Sequence, residues 1–362
     1  MSDAEPDLRF HRLRLLRTAN VGPVTYRQLI TRFGTAAAAL EALPNLAARA
    51  GRRDLRPADP RLVERELAAI DRLGARALFV DEPAYPALLR ATESAPPMLT
   101  VRGDLGLVSR TAIAMVGARN ASAAACRFAR GLSQQLSREG AVVVSGLARG
   151  IDTAAHVGAL EGGTIAVIAS GIDMVYPPEN AELQERIAQT GLLIAEQPVG
   201  TEPLARHVPS RNRIIAGLAL GTVVVEAAPK SGSLITARIA AELGREVMAV
   251  PGSPLDPRAQ GCNLLIREGA TLIQNAADVL EQVRPIDARA VAQTIDSFEP
   301  AAEDASDRDL GIVADLLGPT PVQVDEVVRL SGLPSPIVQT ALLEMELAGR
   351  LERHAGGRVS LA

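Results

Sequence analysis

The chain of 362 residues contains no tryptophan, three tyrosines, five phenylalanines, two cysteines and four histidines. Each scarcity removes a class of function. Cys126 and Cys262 cannot build a metal cluster, and two thiols do not make a disulfide scaffold in a chain this long. His11, His156, His207 and His354 are scattered, with no metal-ligand spacing to another His or a Cys. The apolar runs are strand-sized, so none is expected to span a membrane. Met1–Phe10 lacks the charged-then-apolar pattern of a secretory signal, and the cytoplasm is the expected compartment. The charge is nearly balanced, 38 Lys and Arg against 42 Asp and Glu, for a net −4. Such a chain is not coated in positive charge, so any polyanion site must be a local patch. Several nucleotide and catalytic signatures are also missing: GxxxxGK[ST], a GxGxxG after the first strand, and GxSxG.

What is present is patterned. Hydrophobic residues make up 47% of the chain, enough for globular packing, and the length implies two or three domains. Residues 1–73 are helical in period and rich in Ala, Leu and Arg. Within them Asn20-Val21-Gly22-Pro23 leads into an amphipathic run ending at Phe33-Gly34. This suggests a small SAM-like or helix-hairpin-helix-like domain, serving either DNA backbone contact or helical packing. Residues 74–284 alternate helical stretches with short apolar runs at Ala112–Val116, Val142–Ser145, Thr164–Ala169, Leu192–Ala195, Thr222–Glu226, Glu246–Val250 and Thr271–Ile273. Continuous apolar strands are buried on both faces, as in a parallel sheet covered by helices. The expected class is α/β, a doubly wound Rossmann-like sheet. Residues 285–308 read as a solvated linker. Residues 309–362 read as helix, turn, helix and a hairpin at Gly356-Gly357, a winged helix.

The loops that follow the strands carry the chemistry, because ligands of such sheets bind beyond the strands' carboxyl ends. Gly117-Ala118-Arg119 follows the first of these runs, and Ser145-Gly146-Leu147-Ala148-Arg149-Gly150 follows the second. Ser210-Arg211-Asn212-Arg213 opens a later helix, with Ser210 as its expected cap and the two arginines in its first turn. Cations there oppose the helix dipole unless an anion sits between them. Lys230-Ser231-Gly232-Ser233 closes the strand Thr222–Glu226, and Gly252 and Gly261-Cys262-Asn263 follow the next. Backbone N–H groups at strand-to-helix turns form anion cradles, and phosphate is their usual occupant. Several cradles along one edge suit a chain of phosphates. Glu226 and His156 are expected to be structural rather than an acid or base.

These residues, read together, resemble the DprA (Smf, DNA-processing) family. The resemblance rests on Gly117-Ala118-Arg119, Val144–His156, Pro209–Ile215, Lys230–Leu234 and Gly261-Cys262-Asn263 with Ile266 and Gly269-Ala270. Tyr85-Pro86, Pro97 and Arg102-Gly103-Asp104 resemble the family's lead-in. The resemblance implies a cytoplasmic, non-enzymatic binder of single-stranded DNA, with no cofactor or metal. It implies protection of incoming strands in natural transformation, help in loading the RecA recombinase, and a homodimer through the Rossmann-like domain. The DNA contacts expected from it and from the loop chemistry are Gly117, Arg119, Ser145, Gly146, Asn212, Arg213, Lys230, Ser231, Gly232, Ser233 and Asn263. Ala118 departs from the family's usual Ser or Thr and removes a hydroxyl.

Two rival functions compete with this one. A nucleotide phosphoribohydrolase of the same fold needs a catalytic Glu where this chain has Thr236. A DNA-reading winged helix needs basic residues, but Pro334–Ala348 contains none before Arg350, which points to protein contact. With few aromatics to stack bases, phosphate contacts are expected to dominate and binding to fall steeply with salt.

Overall fold

The structure is a computed structural model that describes residues 4–49, 55–283, 305–354 and 356–362. Most of the expected linker, 285–304, lies outside the described residues. The chain divides into two units, residues 68–295 and the pair of segments 1–67 and 296–362.

The continuous apolar runs form a parallel sheet. Its strands are β1 Arg76–Phe79, β2 Met98–Gly103, β3 Ala112–Val116, β4 Val142–Ser145, β5 Thr164–Ile168, β6 Leu192–Ala195, β7 Gly221–Val224, β8 Glu246–Ala249 and β9 Thr271–Leu272. Their spatial order is β1-β2-β6-β5-β4-β3-β7-β8-β9. From β6 to β9 every pairing is parallel. β1 and β2 add an antiparallel edge that the sequence pattern does not announce.

Alternate residues of the strands serve opposite faces. Ala112, Ala114 and Val116 of β3 join Ile214, Ile215 and Ala237 in one core cluster. Ile113 and Met115 join Ala125, Ala129, Ala155 and Val279 in another. One layer therefore holds helices His207–Leu218 and Gly232–Glu242, and the other holds Ala123–Arg138, Ile151–Ala159 and Ala276–Val283. Both faces of the sheet are covered, which is why its central strands, β3 to β7, are buried along their whole length.

The strand order reverses between β3 and β7, where successive connections lead away in opposite directions. Such a switch point leaves a crevice at the carboxyl ends of its two strands. The loops beginning at Gly117 and Val225 both open there.

In the other unit, helices Ala4–Leu16, Pro23–Phe33 and Ala36–Arg49 precede Pro60–Arg72. The C-terminal segment has helices Asp307–Asp315, Val324–Ser331 and Ser335–Leu347, with a three-stranded sheet of β10 Val322–Gln323, β11 Leu351–His354 and β12 Arg358–Leu361. This is a winged helix. Ser306 and Asp309 form a reciprocal capping box at its first helix. Helix Ser335–Leu347 occupies the position that reads DNA in other winged helices, yet it is buried from Val338 to Met345 except at half-buried Gln339. Leu343 and Leu347 pack in the core of the N-terminal helices with Leu29, Leu40 and Leu43. Asn20 Nδ2 donates to the Leu347 carbonyl at 3.1 Å, and Gln28 Nε2 to Gln339 Oε1 at 3.3 Å. This face of the helix is taken up by packing within the chain.

Candidate nucleic-acid interface

The switch-point loops are tied to each other. Ala118 N–H donates to the Glu226 carbonyl at 2.7 Å. The Glu226 carboxylate accepts from Ser122 N–H at 3.1 Å and from Ser122 Oγ at 2.6 Å. Ser122 in turn caps helix Ala123–Arg138 by accepting from Ala125 N–H. Glu226 thus holds the β3 loop against the β7 loop. The sequence points to this structural role but not to Ser122 as the partner.

On this frame stand Arg119 and Lys230, one on each loop. Both are exposed, and neither forms an ion pair among the described residues. Lys230 precedes Ser231, the N-cap of helix Gly232–Glu242, whose Oγ accepts from Ser233 N–H at 3.4 Å. The turn therefore presents a helix N-terminus beside an ammonium group. Gly232 is exposed, and a Cβ added there meets nothing within 4 Å. Ser233 is buried, with its Oγ 2.7 Å from that of Ser231.

The remaining expected contacts lie deeper. Ser145 is fully buried and donates to the Met115 carbonyl at 2.6 Å, tying β4 to β3. A Cβ on Gly117 would lie 2.5 Å from Ile151, so that position is small because the next helix packs on it. At Gly146 a Cβ would fall 1.2 Å from Arg211 Nη1. Asn212 is buried, and Arg213 bridges Glu196. Asn263 clasps Gly252, accepting from its N–H at 3.2 Å and donating to its carbonyl at 2.9 Å.

One expectation is corrected. Helix His207–Leu218 begins three residues before Ser210, with Arg206 rather than Ser210 at its N-cap. Pro209 does not delay the start, because proline is tolerated in a first turn whose N–H groups have no helical partner. Arg211 and Arg213 therefore turn inward instead of flanking an anion at the helix end.

Arg211 is the residue the sequence hides. It is buried beneath the β4 loop, donates to the Val167 carbonyl at 3.2 Å and lies 4.0 Å from the Asp152 carboxylate. Burial disfavours both charged forms: it pushes the Asp152 carboxyl up despite Arg211, and lowers Arg211 despite Asp152. The Arg119 charge adds to the lowering of Arg211. His156, also fully buried, faces Thr164 Oγ1 at 2.8 Å from its Nδ1. Burial, and then Arg211, lowers it to about 3, so it stays neutral at physiological pH. The packed frame of Gly146, Arg211, Asp152 and His156 lies below the surface, while the exposed cations lie above it. The arrangement can hold anions along the edge. Thr236, where the enzymatic rival needs a carboxylate, is buried. No cluster of metal-ligating side chains occurs among the described residues.

Comparison with known proteins identifies the family. Residues 76–284 match the family model described as DNA recombination-mediator protein A. Residues 6–69 match a DprA-like N-terminal HHH domain, and 298–357 a DprA winged helix domain. Protein Smf of Escherichia coli is 37% identical over 303 residues, covering 83% of this chain and 81% of that one. The DNA processing protein DprA of Streptococcus pneumoniae is 46% identical over 203 residues, covering 56% of this chain and 72% of its own. Its crystal structure superposes with a TM-score of 0.65, covering 76% of this chain and 98% of that one at 36% identity. A Helicobacter pylori relative, whose structure concerns a single-stranded DNA binding mode, gives a TM-score of 0.53 at 28% identity over 57% of this chain and 94% of its own. The chain belongs to the DprA family of DNA recombination-mediator proteins.

Proposed function

We propose that this chain binds single-stranded DNA along the switch-point edge, protects incoming strands in natural transformation and helps load the RecA recombinase. In this reading it acts as a cytoplasmic homodimer through the Rossmann-like domain and performs no catalysis. The observation that carries it is the pair Arg119 and Lys230, exposed and without ion-pair partners among the described residues, on two loops locked together by Glu226. The single-stranded DNA binding mode of the Helicobacter pylori relative supports it. Gly117, Ser145, Gly146, Asn212, Arg213 and Asn263 shape the edge, while Arg119, Lys230 and the Ser231-Gly232-Ser233 turn meet phosphate.

The test is equilibrium binding of oligothymidylate to wild type, Arg119→Ala and Lys230→Ala. Each variant loses a charge-assisted contact of about 1.5–3 kcal/mol. Binding of both variants at wild-type strength removes the site. Release of free base from nucleoside monophosphates would instead establish the hydrolase reading.

A further inference from the structure

A groove runs between helices Ala123–Arg138 and Ile151–Ala159, starting at the sheet edge that carries Arg119. Gly150 joins groove and loop. It lines the groove, and a Cβ on it would lie 2.3 Å from the Ala118 carbonyl oxygen and 2.7 Å from that of Arg119. The groove has a volume of about 560 Å³. Its floor is apolar, formed by Ala154 and by Val157, which is 37% exposed. Arg127 and Arg130 line it from one helix and Arg149 from the loop before the other.

Arg127 and Arg130 are exposed and form no ion pair among the described residues. Arg149 bridges Glu179, but both side chains are exposed, so the pair is weak and open to exchange. Three cations therefore face one carboxylate on a surface whose chain as a whole is slightly acidic.

A cationic rim above an apolar floor matches an unstacked nucleotide, whose phosphate meets a guanidinium while its base lies on apolar surface or on a guanidinium plane. In a chain without tryptophan, arginine planes supply the stacking surface that aromatic rings provide elsewhere. We propose that this groove is a second leg of the single-stranded DNA path, which takes the strand on from Arg119 and holds it between Arg127, Arg130 and Arg149. The proposal rests on the DNA-binding reading of the switch-point edge.

Oligothymidylates of increasing length test it against wild type and the double variant Arg127→Ala, Arg130→Ala, both substitutions being on exposed side chains. Wild-type affinity rises in two stages with length. The double variant keeps the first stage and loses the second, binding long strands about tenfold or more weakly, with a salt slope smaller by about 0.7 per contact removed. Cys126 lines the groove, whereas Cys262 is fully buried with its thiol pushed up to about 12. Maleimide labelling of Cys126 is then slowed by a long oligonucleotide and not by a short one. Equal long-strand binding by the double variant, or Cys126 labelling indifferent to saturating long strand, overturns the groove while leaving the edge site standing. Loss of short-strand binding on Arg119→Ala belongs to the edge site, and wild type that binds neither length removes both.

Discussion

Gly150→Ala probes the joint between fold and site. Gly150 has φ 76° and ψ −119°, backbone that side-chain-bearing residues rarely adopt. Forcing an alanine there costs about 1–3 kcal/mol. The added Cβ also falls 2.3 Å from the Ala118 oxygen and 2.7 Å from the Arg119 oxygen, both backbone atoms that cannot swing aside as a side chain would. Relieving that overlap costs about 1–3 kcal/mol more. The sum, about 2–6 kcal/mol, is a large part of a domain's stability. The relief also moves the β3 loop, which Ala118 anchors to Ile151 N–H at 3.3 Å and to the Glu226 carbonyl. The expected outcome is a lower urea midpoint for the Rossmann-like unit, together with weakened oligothymidylate binding under conditions where the variant is folded. Gly232→Ala is the control: it has open space around its Cβ and no left-handed φ, so the same change there leaves stability unchanged or raises it by up to about 1 kcal/mol. If Gly150→Ala unfolds like Gly232→Ala and binds oligothymidylate like wild type, the assigned contact between Gly150 and the Arg119 loop is wrong.

Two further outcomes follow from buried groups. His156 titrates near 3 when folded and at 6.5 when free, so below 6.5 the unfolded chain takes up a proton that the folded chain refuses. Stability contributed by neutral His156 is full above 6.5 and is lost as pH falls toward 3, by up to about 1.4 kcal/mol per pH unit. The carboxyl of Asp152, pushed up by burial, acts in the opposite sense, so the readout is the difference between wild type and His156→Gln: denaturation midpoints of the variant fall less steeply across that window. Leu343→Ala, in the helix shared by the winged helix and the N-terminal core, destabilises that unit by about 2–5 kcal/mol in thermal unfolding. Deleting 309–362 leaves single-strand affinity largely intact, and a large loss on deletion would move the DNA site to that domain.

The parallel strands are legible because burial on both faces demands unbroken apolar runs, as in Ala112–Val116 and Val142–Ser145. β1, Arg-Ala-Leu-Phe, is four residues long and begins with an exposed arginine, too little pattern to register. β2 ends in Arg102-Gly103, which reads as lead-in to the domain rather than as a strand. The cradles at Gly117 and Lys230 are visible as strand-to-helix turns. Arg211 is not, because a buried arginine and an exposed one look alike in sequence, and only its packing against Gly146 reveals the difference. The same limit hides the role of Asn263, whose amide clasps Gly252. The groove beside Gly150 arises from two helices packed side by side, a relation no local pattern contains.

The salt dependence of single-strand binding tests the central claim most directly. Oligothymidylate affinity is measured from low to moderate salt for wild type, Arg119→Ala and Lys230→Ala. An edge that grips phosphates gives a steep linear fall of log affinity with log salt, and each variant shows a slope smaller by about 0.7 together with weaker binding. A nearly flat wild-type line, or three superimposable lines, contradicts the account.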